Sequence, residues 1–186
     1  MKRPMAMIMA VALVLAVAAP AIAGAGSPGA ALPFQATFTT LQTGMDPSGE
    51  DPGAGRCDPP AVGPAAWFST FDGQGNSTHL GRYSEHNTLC SYATGPTTGY
   101  FDEGLSTITA ANGDTLTLSY GGTWLLDFAA GTSTVTEDWT ITGGTGRFLH
   151  ASGSGTLDLV QSLGTGAGTG HMRGEIAYEA SDRATE

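Results

Sequence analysis

Lysine is absent after Lys2, and the other basic residues are few. Of the 7 Lys and Arg, Lys2 and Arg3 sit at the extreme N-terminus, leaving five arginines against 17 acidic residues beyond them, a net charge of −12. So acidic a chain repels phosphate, which excludes nucleic acid and anionic membranes as expected partners. Long apolar runs are missing too: past the N-terminal segment nothing stays apolar for the ~18 residues of a spanning helix. No stretch shows a 3.6-residue apolar period of useful length. The 28 Gly, 10 Pro and abundant Thr weaken helices further, so a helical bundle is excluded. Catalytic signatures are scarce. Ser154 lies in Gly153-Ser154-Gly155, one residue too tight for a G-x-S-x-G nucleophile elbow. The histidines, His79, His86, His150 and His171, form neither an i, i+2 pair nor an H-x-x-x-H pattern, and there is no C-x-x-C. Neither a metal site nor a cofactor is expected.

What is present begins with a leader. Lys2 and Arg3 precede the almost wholly apolar stretch 5–19, Pro20 breaks it, and Ala21-Ile22-Ala23 is a small-x-small cleavage site. This order predicts a secretory signal removed near Ala23 and a secreted or periplasmic product. Cys57 and Cys90 are the sole cysteines, and an even count in an exported chain predicts a disulfide between them. Asn76-Ser77-Thr78 matches the glycosylation sequon, relevant where the host glycosylates exported proteins. The chain after the leader has the size of one ordinary domain. It reads as an arm over 24–32, a single β domain over 33–180 and a tail over 181–186.

Within that domain the dominant signal is period-two alternation. Residues 33–41 set Phe34, Ala36 and Phe38 against Gln35, Thr37 and Thr39. A Pro-rich loop follows over 43–64, which a core strand cannot occupy. Further strands are predicted over 66–72, turned by Gly73-Gln74-Gly75, and over 77–89, with a bend at Gly81. Residues 105–110 and 115–124 form a hairpin about Asn112-Gly113, both of which accept positive φ cheaply. Segments 133–142, 155–161 and 171–179 complete eight strands. The fold class is all-β: an antiparallel up-and-down barrel of the calycin kind, or alternatively a β-sandwich.

The run 139–153 (Trp-Thr-Ile-Thr-Gly-Gly-Thr-Gly-Arg-Phe-Leu-His-Ala-Ser-Gly) resembles a segment of the allene oxide cyclase and dirigent protein superfamily. There a strand leads into G-G-T-G-x-F, then a small residue and a Gly open the next strand; Gly143, Gly144, Thr145, Gly146, Phe148, Ala151 and Gly153 match. Thr78-His79-Leu80-Gly81-Arg82 and the run 111–116 are similar to segments of small exported bacterial members. The resemblance spans roughly 67–178. It implies an eight-stranded barrel, often with an apolar lumen, and an activity that cyclises an unstable epoxide or steers a coupling reaction through polar groups inside the barrel.

Read as physical chemistry, the Gly-rich turn is a tight connection after which Phe148 folds back to cap the core. It lacks the following helix and the Lys of a phosphate loop. Glu137 is the leading catalytic candidate, because it falls between Val135 and Trp139 on an apolar face, where burial raises a carboxyl pKa. Its ordinary alternative is an ion pair with Arg82 or Arg147. His79 and Tyr120 are the other catalytic candidates. His79, Tyr83 and Glu85 share a face by alternation, although both faces of that strand are polar and an ordinary solvated face fits it well. Arg82, Trp124, Trp139 and Phe148 are candidate ligand contacts, Arg82 for a ligand carboxylate. The leading expectation is a barrel binding a small apolar molecule in its lumen. The alternatives are a cyclase-like or dirigent-like enzyme and a non-catalytic interaction module with a packed core.

Overall fold

The structure, a computed structural model, describes residues 29–46, 57 and 66–178. The expected leader, most of the Pro-rich loop and the C-terminal tail lie outside the described residues. Eight antiparallel strands run in chain order: β1 (Leu32–Asp46), β2 (Ala66–Ser77), β3 (Gly81–Ala93), β4 (Thr98–Ala110), β5 (Thr115–Asp127), β6 (Thr132–Gly144), β7 (Ser152–Ser162) and β8 (Ala167–Ala177). Each pairs with the next, and β1 also pairs with β8 from Leu32↔Ile176 to Leu41↔Ala167. The sheet is therefore a closed barrel rather than a sandwich, and closure leaves no free sheet edge.

The alternation that predicts the strands also sorts their faces. Outward positions carry mainly Thr, Ser, Gln and acidic residues. Inward positions carry the core, which divides along the barrel axis. One end is filled: Phe34, Ile108, Leu116, Trp139, Phe148 and Ile176 are almost completely buried there. Phe34 meets Trp139 edge to face at 5.4 Å between ring centroids, and the Trp139 indole N–H donates to the Thr156 carbonyl at 3.1 Å. The Trp139 ring lies directly over Gly155, its cross-strand partner, where a Cβ would occupy the same space. The other half of the barrel is hollow.

Several expected boundaries move. Gly73-Gln74-Gly75 is not a turn but the continuation of β2, with Gly73 opposite Glu85 and Gly75 opposite Tyr83. A Cβ at Gly73 would collide with the Glu85 carboxylate, and one at Gly75 with the Tyr83 ring, 2.6 Å away. These glycines make room for inward side chains of the neighbouring strand. The turn falls instead at residues 78–80, and Gly81 opens β3 with a φ of +66°. In the β4–β5 hairpin only Gly113 takes a positive φ (+88°). Asn112 serves through its side chain, whose Oδ1 accepts from the Asp114 N–H at 3.2 Å. β4 starts at Thr98, earlier than the alternation indicates, because a bulge at Asp102–Glu103 (Glu103 φ +50°) reverses the face pattern between Phe101 and Gly104. β6 extends through Gly143 and Gly144, and Gly146 (φ +56°) begins a short 3-10 turn, Gly146–Phe148, that drives Phe148 into the filled end.

The expected disulfide joins Cys57 to Cys90, with Cα atoms 5.4 Å apart. Cys90 points away from the lumen. Cys57 packs with it against the outward-facing Phe68 and Tyr92, and the Tyr92 ring stacks on Tyr100 at 4.8 Å. The bridge thus builds a second, smaller core on the outer wall of β2, β3 and β4.

Candidate functional site

The hollow half is a cavity of about 280 Å³ that opens between the ends of β1–β2, β3–β4, β5–β6 and β7–β8. Its upper wall is apolar: Leu89, Phe101, Val135, Phe71, Trp124 and Leu159 pack together there. Its floor rests on the filled end, with Phe38, Leu118, Leu157 and Met172 at the boundary.

Gln42, Ser69, Ser91, Ser133 and Gln161 also line the cavity, and two carboxyl groups enter it. Glu137 enters from β6, between Val135 above and Trp139 below. Glu85 enters from β3, one inward position above Tyr83, with β4 and β5 separating the two strands. Glu85 is buried over Gly73, and a hydrogen bond from Asn87 reaches one side of it. Among the described residues its Oε1 makes no hydrogen bond, nor does the hydroxyl of Ser106, the cross-strand neighbour of Asn87. Burial pushes the Glu85 carboxyl up to about 7, with the Asn87 hydrogen bond opposing the rise. Glu137 is raised well above the usual carboxylate range, first by burial and then by the negative charges of Glu85 and Asp138. Glu137 is half-buried and borders both the lumen and a shallow outer pocket beside Gly122 and Thr156, and burial is still the largest cause of its rise. Burial and the Glu85 charge likewise raise the Tyr83 hydroxyl.

Among the described residues no arginine forms an ion pair with Glu137. Arg147 turns to Asp114, 3.7 Å away, and donates to the His79 carbonyl at 3.0 Å. Arg82 is exposed on the outer face, since it alternates with the inward Tyr83. Among the described residues lining the cavity there is no Arg or His.

The sequence candidates divide accordingly. Glu137, Tyr120 and Trp124 come together in the cavity. The Tyr120 hydroxyl donates to the Thr88 carbonyl at 3.2 Å, and the ring meets Phe101 edge to face. His79, Arg82, Trp139 and Phe148 lie outside it. His79 sits in the 78–80 turn, before β3 begins, so the alternation of Tyr83 and Glu85 does not extend to it. Its Nε2–H donates to the Pro33 carbonyl at 2.9 Å, and its Nδ1 accepts from the Tyr178 hydroxyl at 3.1 Å. Trp139 has the inward orientation its position predicts but is buried in the filled end. Phe148 caps that end, packed on Tyr178. Glu85, Asn87 and Ser106 carry no distinctive motif. The available signal for Glu85 is the Gly73–Gly75 pair, whose meaning depends on strand register.

No protein-family model matches the chain, and no curated protein is significantly similar to it.

Proposed function

We propose that the protein is exported and binds one small apolar molecule in the open half of its barrel. The observation that carries this reading is the cavity: about 280 Å³, close to the lower end of small-molecule pockets (roughly 300 Å³), lined mainly by apolar and aromatic side chains with polar groups interspersed. A barrel serving only as an interaction module needs no such hollow, and large side chains at Val135 or Ser133 would fill it. The disulfide is compatible with an extracellular or periplasmic location.

Titration with N-phenyl-1-naphthylamine, an apolar fluorophore uncharged at neutral pH, is expected to show saturable one-to-one binding. Val135→Trp places an indole in the cavity and is expected to abolish that binding while the protein still melts cooperatively. Binding that does not saturate, or that survives Val135→Trp, would locate the probe elsewhere and overturn the reading.

The carboxyls favour a second reading, an enzyme of the cyclase-like or dirigent-like kind. A protonated Glu137 beside an apolar ligand can donate a proton, and Glu85, near 7, can accept one. Glu137→Gln separates the two readings. Affinity for the neutral fluorophore is expected to survive the substitution in either case, and only an enzyme has a turnover to lose.

A further inference from the structure

Two carboxyls at the bottom of an apolar cavity are a costly arrangement for a strictly apolar ligand. Such a ligand would seal Glu85 and Glu137 away from water and offer no hydrogen bond to either, leaving Glu85 with its Asn87 contact. Glu85 Oε1 and the Ser106 hydroxyl, both over nine-tenths buried, are hydrogen-bonding atoms without partners among the described residues. Above them the wall presents the aromatic rings of Phe101, Tyr120 and Trp124. Acceptors at the floor, π faces and aliphatic side chains above, and no cation in the lining together define a complementary shape: a positively charged head with hydrogen-bond donors, carried on an apolar body. Among the described residues no group of three His, Cys, Asp or Glu could hold a metal ion.

We propose that the lumenal ligand is an apolar amine, bound head down with its ammonium group between Glu85 and Glu137 and its body along the aromatic upper wall. This proposal rests on the lumenal-binding reading above and narrows it to one ligand class. The ammonium donates to Glu85 Oε1 and to the Ser106 hydroxyl, and Glu137 supplies the second negative charge. Aromatic faces add cation–π attraction in a site shielded from water. The ligand needs N–H donors, so a quaternary ammonium of equal size satisfies the charge but not the acceptors.

Binding has a proton balance. An amine arrives as an ammonium ion, and the carboxyl pair must ionise to meet it, so protons leave the site for solvent. Tyr83 and Tyr120 are the other titratable side chains facing the pair, from β3 and β5. Asp138 is its charged neighbour on the outer face of β6. The inward neighbours on β2, β4 and β7, namely Gly73, Ile108 and Leu157, carry no charge. Affinity for an amine is therefore expected to fall as the pH is lowered from 8 to 5.

The test is calorimetric titration of the full chain at pH 7.5 with 2-phenylethylamine, 4-phenylbutylamine and n-octylamine. The alcohol and carboxylic acid of each skeleton are run alongside. Each amine is expected to bind about tenfold or more tightly than its alcohol, as one charge-assisted hydrogen bond implies, and the acids are expected not to bind. Glu85→Gln combined with Glu137→Gln is expected to erase the amine preference and leave alcohol affinity in place. Independently of any variant, titration in buffers of different ionisation enthalpy is expected to show proton release with amines and none with alcohols. Alcohols binding as tightly as amines, or an amine preference that persists in the double variant, would overturn the amine proposal and leave lumenal binding standing. Amines that fail while N-phenyl-1-naphthylamine still binds would do the same. Failure of every probe, the fluorophore included, would remove both.

Discussion

Glu85→Gln combined with Glu137→Gln is expected to raise the melting temperature by about 5–10 °C at pH 8 and to change it little at pH 4. Glutamine is isosteric with a protonated carboxyl. Below about 4.5, the ordinary carboxyl value, the folded and unfolded chains both hold their protons, and the substitution exchanges one neutral group for another. As the pH rises past 4.5, the unfolded chain releases protons that the folded chain retains. The folded state then binds more protons, so its stability falls with rising pH. For Glu85 the loss is complete once the pH exceeds about 7 and amounts to roughly 3 kcal/mol, at ~1.4 kcal/mol for each pH unit between the two values. Glu137, raised by burial and by the neighbouring negative charges, adds to it in the same direction. Thermal denaturation of both proteins from pH 4 to 9 measures the difference, and taking the difference removes the effect of the many exterior acids. A constant offset across that range would mean that the two carboxyls titrate alike folded and unfolded.

Replacing both cysteines by serine is expected to cost about 3–4 kcal/mol, the chain entropy released when a loop with a sequence separation of 33 is no longer closed. The effect is also expected to be local. The bridge holds Cys57 over Phe68 and Tyr92 on the outer wall, next to the strand positions that line the mouth of the cavity. Hydrogen exchange should therefore quicken first in the C-terminal half of β3 and the N-terminal half of β2, while the filled end around Phe34 and Trp139 stays protected. Denaturant unfolding gives the size of the loss. Uniform exchange across all eight strands would show that the bridge stabilises the barrel without anchoring the mouth.

Much of this fold is legible in the sequence because closure forces every strand to alternate. β5 and β6 show it most plainly: Leu116, Leu118, Tyr120 and Trp124 turn inward, as do Val135, Glu137 and Trp139. Where alternation fails, the cause is a contact that no local pattern contains. Residues 98–104 look irregular because a bulge at Glu103 shifts the period within the strand. Gly73 and Gly75 have the composition of a turn, yet the chain stays extended because Glu85 and Tyr83 from the paired strand need the space.

The site was partly legible for the same reasons. An acid between Val135 and Trp139 stands out on an apolar face, so Glu137 is visible from sequence. Glu85 stands among Ser84, His86 and Arg82, and its burial depends on a register with β2 that its own strand does not specify. Face pattern also carries no information about depth. Trp139 is inward and so is Trp124, but one belongs to the filled end and the other to the cavity. A shift of the β2–β3 turn to residues 78–80 removes His79 from the lumen, since alternation ends where the strand ends.

The chemistry of the lumen depends most directly on the protonation of one side chain. Carbon-detected NMR of the Glu137 carboxyl in the intact protein, followed from pH 3 to 9, is expected to show it ionising well above the usual carboxylate range and coupled to a second titration from Glu85 near 7. A Glu137 carboxyl that ionises near 4.5, as it would in open solvent, would contradict an enclosed carboxyl pair and with it the chemistry assigned to the lumen.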